Sequence, residues 1–351
     1  LEKNIEMKNN VYVDSDQLSK EMSYFNSEWI FVCLKSSLRD NNAFVTLKTY
    51  YNNIVVQNFR GKLVALSNIC VHRFNTIQND IEGKSPLVCD YHSWGYDKSG
   101  KTRSDKSACL ESYEIGECGD FVFINIGKNS TKLTDYLGNF YQELLELSSL
   151  FSESNLSAIK TVKHNANWKF LVENVLECYH CHSVHSVSLG DIGLGLGEPY
   201  NHLTYNGHDS IEYPVIRANK KKKTKGLELF ENRDLKHSSY RHFYLAPNLF
   251  VSSTEGLSFY IGRLDPISET ETNLQVMFRI SKLNNEVNKN IIKHFYEVSL
   301  NNTLNVIKED QFILENQQRN MKYVPNSTAI FTKQEPRIIN FHREYINLIN
   351  T

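Results

Sequence analysis

Apolar and polar positions change rhythm along this chain, and each rhythm predicts a different element. Ser15 to Phe25 reads as a short amphipathic helix, with Asp14 or Ser15 as its cap. From Trp29 to about Gly127 the pattern turns to short β-branched or apolar runs. These are Ile30–Cys33, Phe44–Leu47, Ile54–Val56 and Leu63–Leu66, divided by turn signals such as Arg39-Asp40-Asn41-Asn42 and Arg60-Gly61-Lys62. Asp120–Asn125 closes that series. Leu133–Leu150 is helical in pattern and links it to a second half. Strands return around Ala158–Val162, Tyr240–Val251, Leu257–Leu264 and Leu274–Ile280, with long helices over 167–187 and 285–320. The first half is therefore all-β, and the second is α+β, an antiparallel sheet covered by helices.

At 351 residues the chain has room for about two domains. A formal charge of -1, with both signs mixed, gives no bulk electrostatic case for nucleic acid or an anionic membrane. No apolar run approaches the ~20 residues that cross a bilayer. The chain opens on Leu1 without the pattern of a signal peptide, so a trimmed start is expected, with Met7 one candidate for the native first residue. Seven cysteines, an odd number at low density, predict a reduced, cytoplasmic protein. The basic run Lys220–Lys225 reads as a solvated loop.

The chemistry concentrates in two segments. Cys70-Val71-His72, sixteen residues, then Cys89-Asp90-Tyr91-His92 offers two Cys-then-His pairs from two loops. Two Cys and two His are the ligand set of a Rieske [2Fe–2S] cluster, in which imidazole on one iron raises the potential from about −400 mV to roughly −150 to +300 mV. A zinc site takes the same residue types, but this order is not the usual zinc-finger one. Trp94 and Tyr96 add bulk that limits solvent access.

Downstream, Glu177-Cys178-Tyr179-His180 and His185 offer two imidazoles to a single metal. Two His and one carboxylate leave positions open on Fe(II) for O₂ and substrate. The five-residue offset puts His180 and His185 about 140° apart on an ideal helix, so the helix must end or distort between them. Glu177, three residues before His180, is placed to hold a ligand ring. Rivals exist in the same stretch: Cys178 and Cys181 as half a zinc site, and His182 with His185 as the easier helical pair. The carboxylate must come from elsewhere, and Lys308-Glu309-Asp310 opens a long amphipathic segment that could supply it.

With these residues together, the chain resembles the α-subunit of the Rieske non-haem iron (ring-hydroxylating) oxygenases. Asn26-Ser27-Glu28-Trp29, Cys70…His72-Arg73, Cys89…His92-Ser93-Trp94, Asn167-Trp168-Lys169, Glu173-Asn174, Glu177…His180…His185 and Glu309-Asp310 carry the resemblance over nearly the whole length. It implies an N-terminal all-β Rieske domain over 26–128. It also implies a C-terminal helix-grip (START-like) catalytic domain over 129–351, joined by the N-terminal helix in 1–25. Cys70, His72, Cys89 and His92 would hold the cluster, and His180, His185 and Asp310 the Fe(II). Family members are commonly homotrimers in which an acidic residue, here Glu177, bridges electrons between subunits. O₂ is the co-substrate. No Gly-x-Gly-x-x-Gly fingerprint is present, so NAD(P)H electrons must arrive through a separate flavin/iron–sulfur reductase.

Glu177-Cys178-Tyr179-His180-Cys181 further resembles the subgroup acting on carnitine, glycine betaine and stachydrine. The expected activity is monooxygenation or oxidative N-demethylation of a quaternary ammonium compound. Arene dihydroxylation and a Rieske electron carrier without oxygenase activity are the alternatives. Tyr205, Tyr240, Phe243, Tyr244, Phe259, Tyr260 and Phe278 are aromatic candidates for a cation site, and Arg241, Arg263 and Arg279 for a carboxylate. Cys33, Cys109, Cys118, Cys178 and Cys181 read as ordinary buried thiols.

Overall fold

Among the described residues, strand pairing gives two seven-stranded sheets, one in each of two units. The structure, a computed structural model, describes residues 7–127, 131–152, 158–189, 193–194, 196–216, 230, 239–284 and 288–350. The Lys220–Lys225 run lies outside them. Among the described residues no helix is long and apolar enough to cross a membrane.

The first unit comprises Met22–Ser149 and Ala158–Lys160. Its strands are β1 (Trp29–Leu34), β2 (Ala43–Lys48), β3 (Asn53–Phe59), β4 (Lys62–Ser67), β5 (Glu82–Lys84), β6 (Ser112–Cys118) and β7 (Phe121–Asn125). They lie in the order β1-β7-β6-β4-β3-β2-β5. Arg60 and Gly61, both at positive φ, make the two-residue turn that joins β3 to β4. The helical segment over 133–150 is broken at Gly138, also at positive φ, into α2 (Leu133–Leu137) and α3 (Asn139–Ser149).

The second unit comprises Leu1–Glu21, Leu150–Ser157 and Thr161–Thr351. Its sheet runs β8-β14-β13-β12-β11-β10-β9. The strands are β8 (Lys160–His164), β9 (Tyr200–Tyr205), β10 (His208–Pro214), β11 (Ser239–Leu245), β12 (Leu249–Thr254), β13 (Ser258–Ser268) and β14 (Glu271–Ile280). The run Tyr240–Val251, read as one strand, is two. Pro247 lacks the N–H that a continuous ladder needs, and the chain turns at Ala246-Pro247-Asn248. The helix expected over 167–187 is likewise two pieces, α4 (Trp168–Val175) and the single turn α5 (Cys181–Val184). Asn167 caps α4 by accepting from the Lys169 amide at 3.0 Å. The long helix α6 (Lys289–Met321), capped by Asn288, carries Asp310, and α7 (Pro336–Asn350) follows.

The start of the chain is pinned into this unit. Asn9 N–H donates to the Ser327 carbonyl and Asn10 N–H to that of Pro325, each at 2.9 Å. In α1 (Ser15–Ser27), Glu21 takes Lys169 Nζ and Trp168 Nε1, each at 2.6 Å, and also the Tyr345 hydroxyl of α7. Lys169 and Glu21 are both buried. The ammonium sits among the rings of Tyr12, Trp168 and Tyr345. Burial lowers the Lys169 pKa, and Glu21 opposes that shift.

Candidate functional site

The two halves of the cluster motif are hairpin tips closed in the same way. Cys70 N–H donates to the Asn75 carbonyl at 2.8 Å, and Phe74 N–H to the Cys70 carbonyl at 2.9 Å. In the other tip Cys89 N–H donates to Trp94, and Ser93 N–H to Cys89, both at 2.9 Å. The fifth residue of each tip, Phe74 or Ser93, has positive φ. Both cysteines are buried in one apolar cluster with Phe44, Val55, Leu66, Ile77, Leu87 and Leu110. His72 and His92 are exposed, with ring centroids 4.5 Å apart, and His72 stacks on Trp94. Tyr96 Oη lies 3.0 Å from Cys70 Sγ. Burial raises the Cys70 pKa, but the Tyr96 hydroxyl and the His72 and Arg73 amides outweigh it and the net shift is downward. Two hydrogen-bonded sulfurs inside and two imidazoles at the surface fit a [2Fe–2S] group with one shielded and one exposed edge.

The second site is built around α5. His180 is its N-cap and His185 its C-cap, so the helix begins and ends between the two rings. Their centroids are 5.2 Å apart. Glu177 causes the break: one carboxylate oxygen accepts the His180 amide at 3.0 Å and the other contacts His180 Nδ1. His185 Nδ1 is held by Glu309 at 2.7 Å, and Glu309 also accepts from Ser188 Oγ at 2.6 Å. With carboxylates on both Nδ1 atoms, each ring turns its Nε2 inward. There Asp310 Oδ1 lies 3.0 Å from His185 Nε2 and 3.5 Å from His180 Nε2. Donor atoms of His180, His185 and Asp310 all fall within 4.8 Å of one another, a set that fits a divalent ion. Burial lowers the His185 pKa, but Asp310 and Glu309 outweigh it and raise it. Asn174 Nδ2 donates to Asp310 Oδ1 at 3.3 Å.

His182 is exposed and stays outside this trio. Cys178 and Cys181 are bonded to each other as a disulfide, which corrects their reading as thiols and removes the half-zinc alternative. The i,i+3 spacing across the turn before α5 brings their Cα atoms to 4.9 Å, inside disulfide reach. Cys109 is exposed and not buried as expected, because its loop lies at the surface.

A cavity of about 300 Å³ opens over the trio. Helix α6 faces it with Asn302, Thr303, Val306, Ile307, Asp310 and Leu314, spaced at three and four residues. The sheet contributes Tyr213, Tyr240, His242, Phe250, Tyr260 and Phe278. Of the seven aromatic candidates only Tyr240, Tyr260 and Phe278 line it. Tyr205, Phe243, Tyr244 and Phe259 do not, because their positions along the strands place them off the cavity wall. None of the candidate arginines lines it either. Arg263 is forked onto Asp265, Arg241 pairs with Glu212, and Arg279 donates to the Phe278 carbonyl.

A family profile described as the ring hydroxylating alpha subunit (catalytic domain) matches residues 153–351, and one for the Rieske [2Fe-2S] domain matches residues 28–114. The chain belongs to the ring-hydroxylating α-subunit family. Its fold is that of the family, an N-terminal Rieske β-domain and a C-terminal catalytic domain with an antiparallel sheet and helices. Such a chain is an oxygenase component that depends on a [2Fe–2S] cluster, a mononuclear iron, O₂ and reductase-supplied electrons.

The chain is 27% identical over 318 residues to the carnitine monooxygenase oxygenase subunit of Escherichia coli K12, covering 86% of this chain and 82% of that one. Against the subunit of the same name in Acinetobacter pittii it is 28% identical over 228 residues, 60% of each chain. A solved quaternary ammonium Rieske monooxygenase in complex with L-carnitine superposes with a TM-score of 0.75 at 22% identity, covering 98% of this chain and 94% of that one. In this ring-hydroxylating α-subunit, sequence reasoning named Asn174 and Glu309 as motif positions, and Glu309 as one of two adjacent carboxylates that could reach the metal, but gave neither its positioning role. It did not single out Tyr213, Phe250 or His242 at all, since their strands carry no motif.

Proposed function

We propose that this α-subunit is the terminal oxygenase of a small quaternary ammonium compound, acting as a monooxygenase that cleaves a C–N bond after hydroxylation next to nitrogen. The observation that carries the reading is the aromatic wall of Tyr213, Tyr240, Phe250, Tyr260 and Phe278 in the same cavity as His180, His185 and Asp310. A quaternary ammonium group has no N–H to donate, so aromatic faces are what recognise it. The names of the relatives point the same way. When bound, the cluster held by Cys70, His72, Cys89 and His92 supplies single electrons, and the iron held by His180, His185 and Asp310 supplies O₂ chemistry.

The remaining work falls to the protein. Glu177 and Glu309 hold the two imidazoles in one tautomer and orientation. Asn174 keeps Asp310 turned toward them. Leu171, Leu274 and Leu314 exclude water from the cavity wall. We further propose that 26–128 is the Rieske domain and that 129–351 with 1–25 is the catalytic domain. The working assembly would be a homotrimer in the cytoplasm, with Glu177 bridging electrons from a neighbouring subunit and a flavin/iron–sulfur reductase as electron donor. The contact of Glu177 with His180 Nδ1 supports that role.

Iron and acid-labile sulfide are counted first on anaerobically purified protein, with three irons and two sulfides per chain expected. Quaternary ammonium and arene substrates are then supplied with O₂, NADH and a surrogate reductase. The expected products are a tertiary amine and a carbonyl compound. Formation only of cis-diols from arenes would establish the dioxygenase alternative. Two irons with two sulfides, unchanged by added Fe(II), would favour an electron carrier.

A further inference from the structure

We infer that His242, positioned by Arg337, gives the hydrogen bond that anchors a substrate carboxylate, so that the site selects a betaine-type zwitterion over a bare quaternary ammonium. This deepens the quaternary ammonium reading and rests on it.

His242 is on β11, between Ile211 of β10 and Ser252 of β12 in the register. Its ring is buried against the protein and forms part of the cavity wall. Nδ1 lies 3.3 Å from Arg337 Nη2. A guanidinium has donors only, so Arg337 donates and Nδ1 accepts, which leaves the proton of the neutral ring on Nε2. Burial, and then the Arg337 charge, hold the His242 pKa well below the usual range, so the ring is neutral. Nε2 is itself buried and has no hydrogen-bond partner among the described residues.

The donor is held rigidly. Arg337 is itself buried, and its Nε contacts Asp209 Oδ1. Asp209 is fixed in turn by His202 Nε2 at 2.7 Å. The chain Asp209–Arg337–His242 therefore ends in an N–H with nothing to accept it. A buried donor left unpaired costs about 1–3 kcal/mol, so a ligand oxygen that reaches it recovers that energy. Among the described residues the lining includes no lysine or arginine, while Glu177 and Asp310 are carboxylates. Arg337 stands behind two wall positions, Tyr213 and His242, and of these His242 carries the unpaired N–H. That cation polarises the N–H toward an anionic oxygen.

The test is calorimetric titration of the iron-loaded protein with γ-butyrobetaine and with propyltrimethylammonium, its counterpart without the carboxylate. Wild type should bind the betaine roughly 10- to 100-fold more tightly, the range expected for a hydrogen bond to a charged group. His242→Phe should abolish that preference while propyltrimethylammonium still binds, which also reports that the cavity is intact. His242→Gln, which keeps an N–H donor, should restore part of the preference. Equal affinity of wild type for both ligands would overturn the inference and leave the quaternary ammonium reading standing. So would an equal loss of both ligands in His242→Phe. Binding of neither ligand by iron-replete wild type would overturn the reading, and the inference with it.

Discussion

Replacing Glu309 with Ala separates the orientation of a ligand ring from the ligand itself. Glu309 holds His185 Nδ1 at 2.7 Å, and its own side chain is 33% exposed while that of His185 is 2% exposed. A hydrogen bond to a charged group contributes about 1.5–3 kcal/mol, and partial exposure places this one at the lower end. Without Glu309 the ring is free to rotate, or to carry its proton on Nε2, where it masks the lone pair aimed at Asp310. About 1.5 kcal/mol corresponds to roughly a tenfold loss of Fe(II) affinity. Anaerobic competition with a chromogenic chelator measures it, and the visible absorption of the cluster serves as an internal reference that should not change. Glu309→Gln, which retains an acceptor oxygen, should recover most of the loss. The reasoning fails if Glu309→Ala binds Fe(II) within about twofold of wild type while His185→Ala abolishes binding.

Three further outcomes follow from the geometry. Tyr96→Phe removes the hydroxyl beside Cys70 Sγ. Losing about 1 kcal/mol of hydrogen bonding to a thiolate should lower the cluster potential by about 40 mV in protein-film voltammetry, and an unchanged potential would refute it. Glu21→Ala strands the buried Lys169 ammonium, the Trp168 N–H and the Tyr345 hydroxyl. It should cost about 3–5 kcal/mol in a urea titration, and a loss under about 1 kcal/mol would contradict this account. Finally, the folded chain keeps His242 neutral, with its pKa well below 6.5. Below about pH 6.5 the unfolded chain gains a proton that the folded one refuses, so stability falls with acidification, by about 1.4 kcal/mol at about pH 5.5. His242→Phe should flatten that slope, and equal slopes would argue against a neutral buried ring.

What was legible in the sequence was whatever the covalent order itself constrains. The Cys-His pairs sit at hairpin tips because turn residues bracket them. The offset of His180 and His185 required an interrupted helix, and α5 is that interruption. Strand β10 and helix α7 were not foreseen, and they supply Asp209 and Arg337. Strand β9, exposed throughout, has no apolar face to give it away. Arg337 is also 95 residues from His242, and no local pattern couples positions so far apart. Glu309 escaped for a subtler reason. Two adjacent carboxylates look alike in sequence, and only the rotation of α6 tells which one meets Nε2 and which Nδ1.

The pinning of Glu21 also sets an order of events on the ribosome. Its hydrogen bond to Tyr345 spans 324 positions. At roughly 5–20 residues per second, that partner emerges about 15–65 s after Glu21 does. The first unit is complete by Lys160, so it can fold as soon as that stretch clears the exit tunnel. The unit that encloses His180, His185 and Asp310 completes this contact only once α7 is made. Until then Leu18 and Glu21, both buried in the folded chain, stay uncovered.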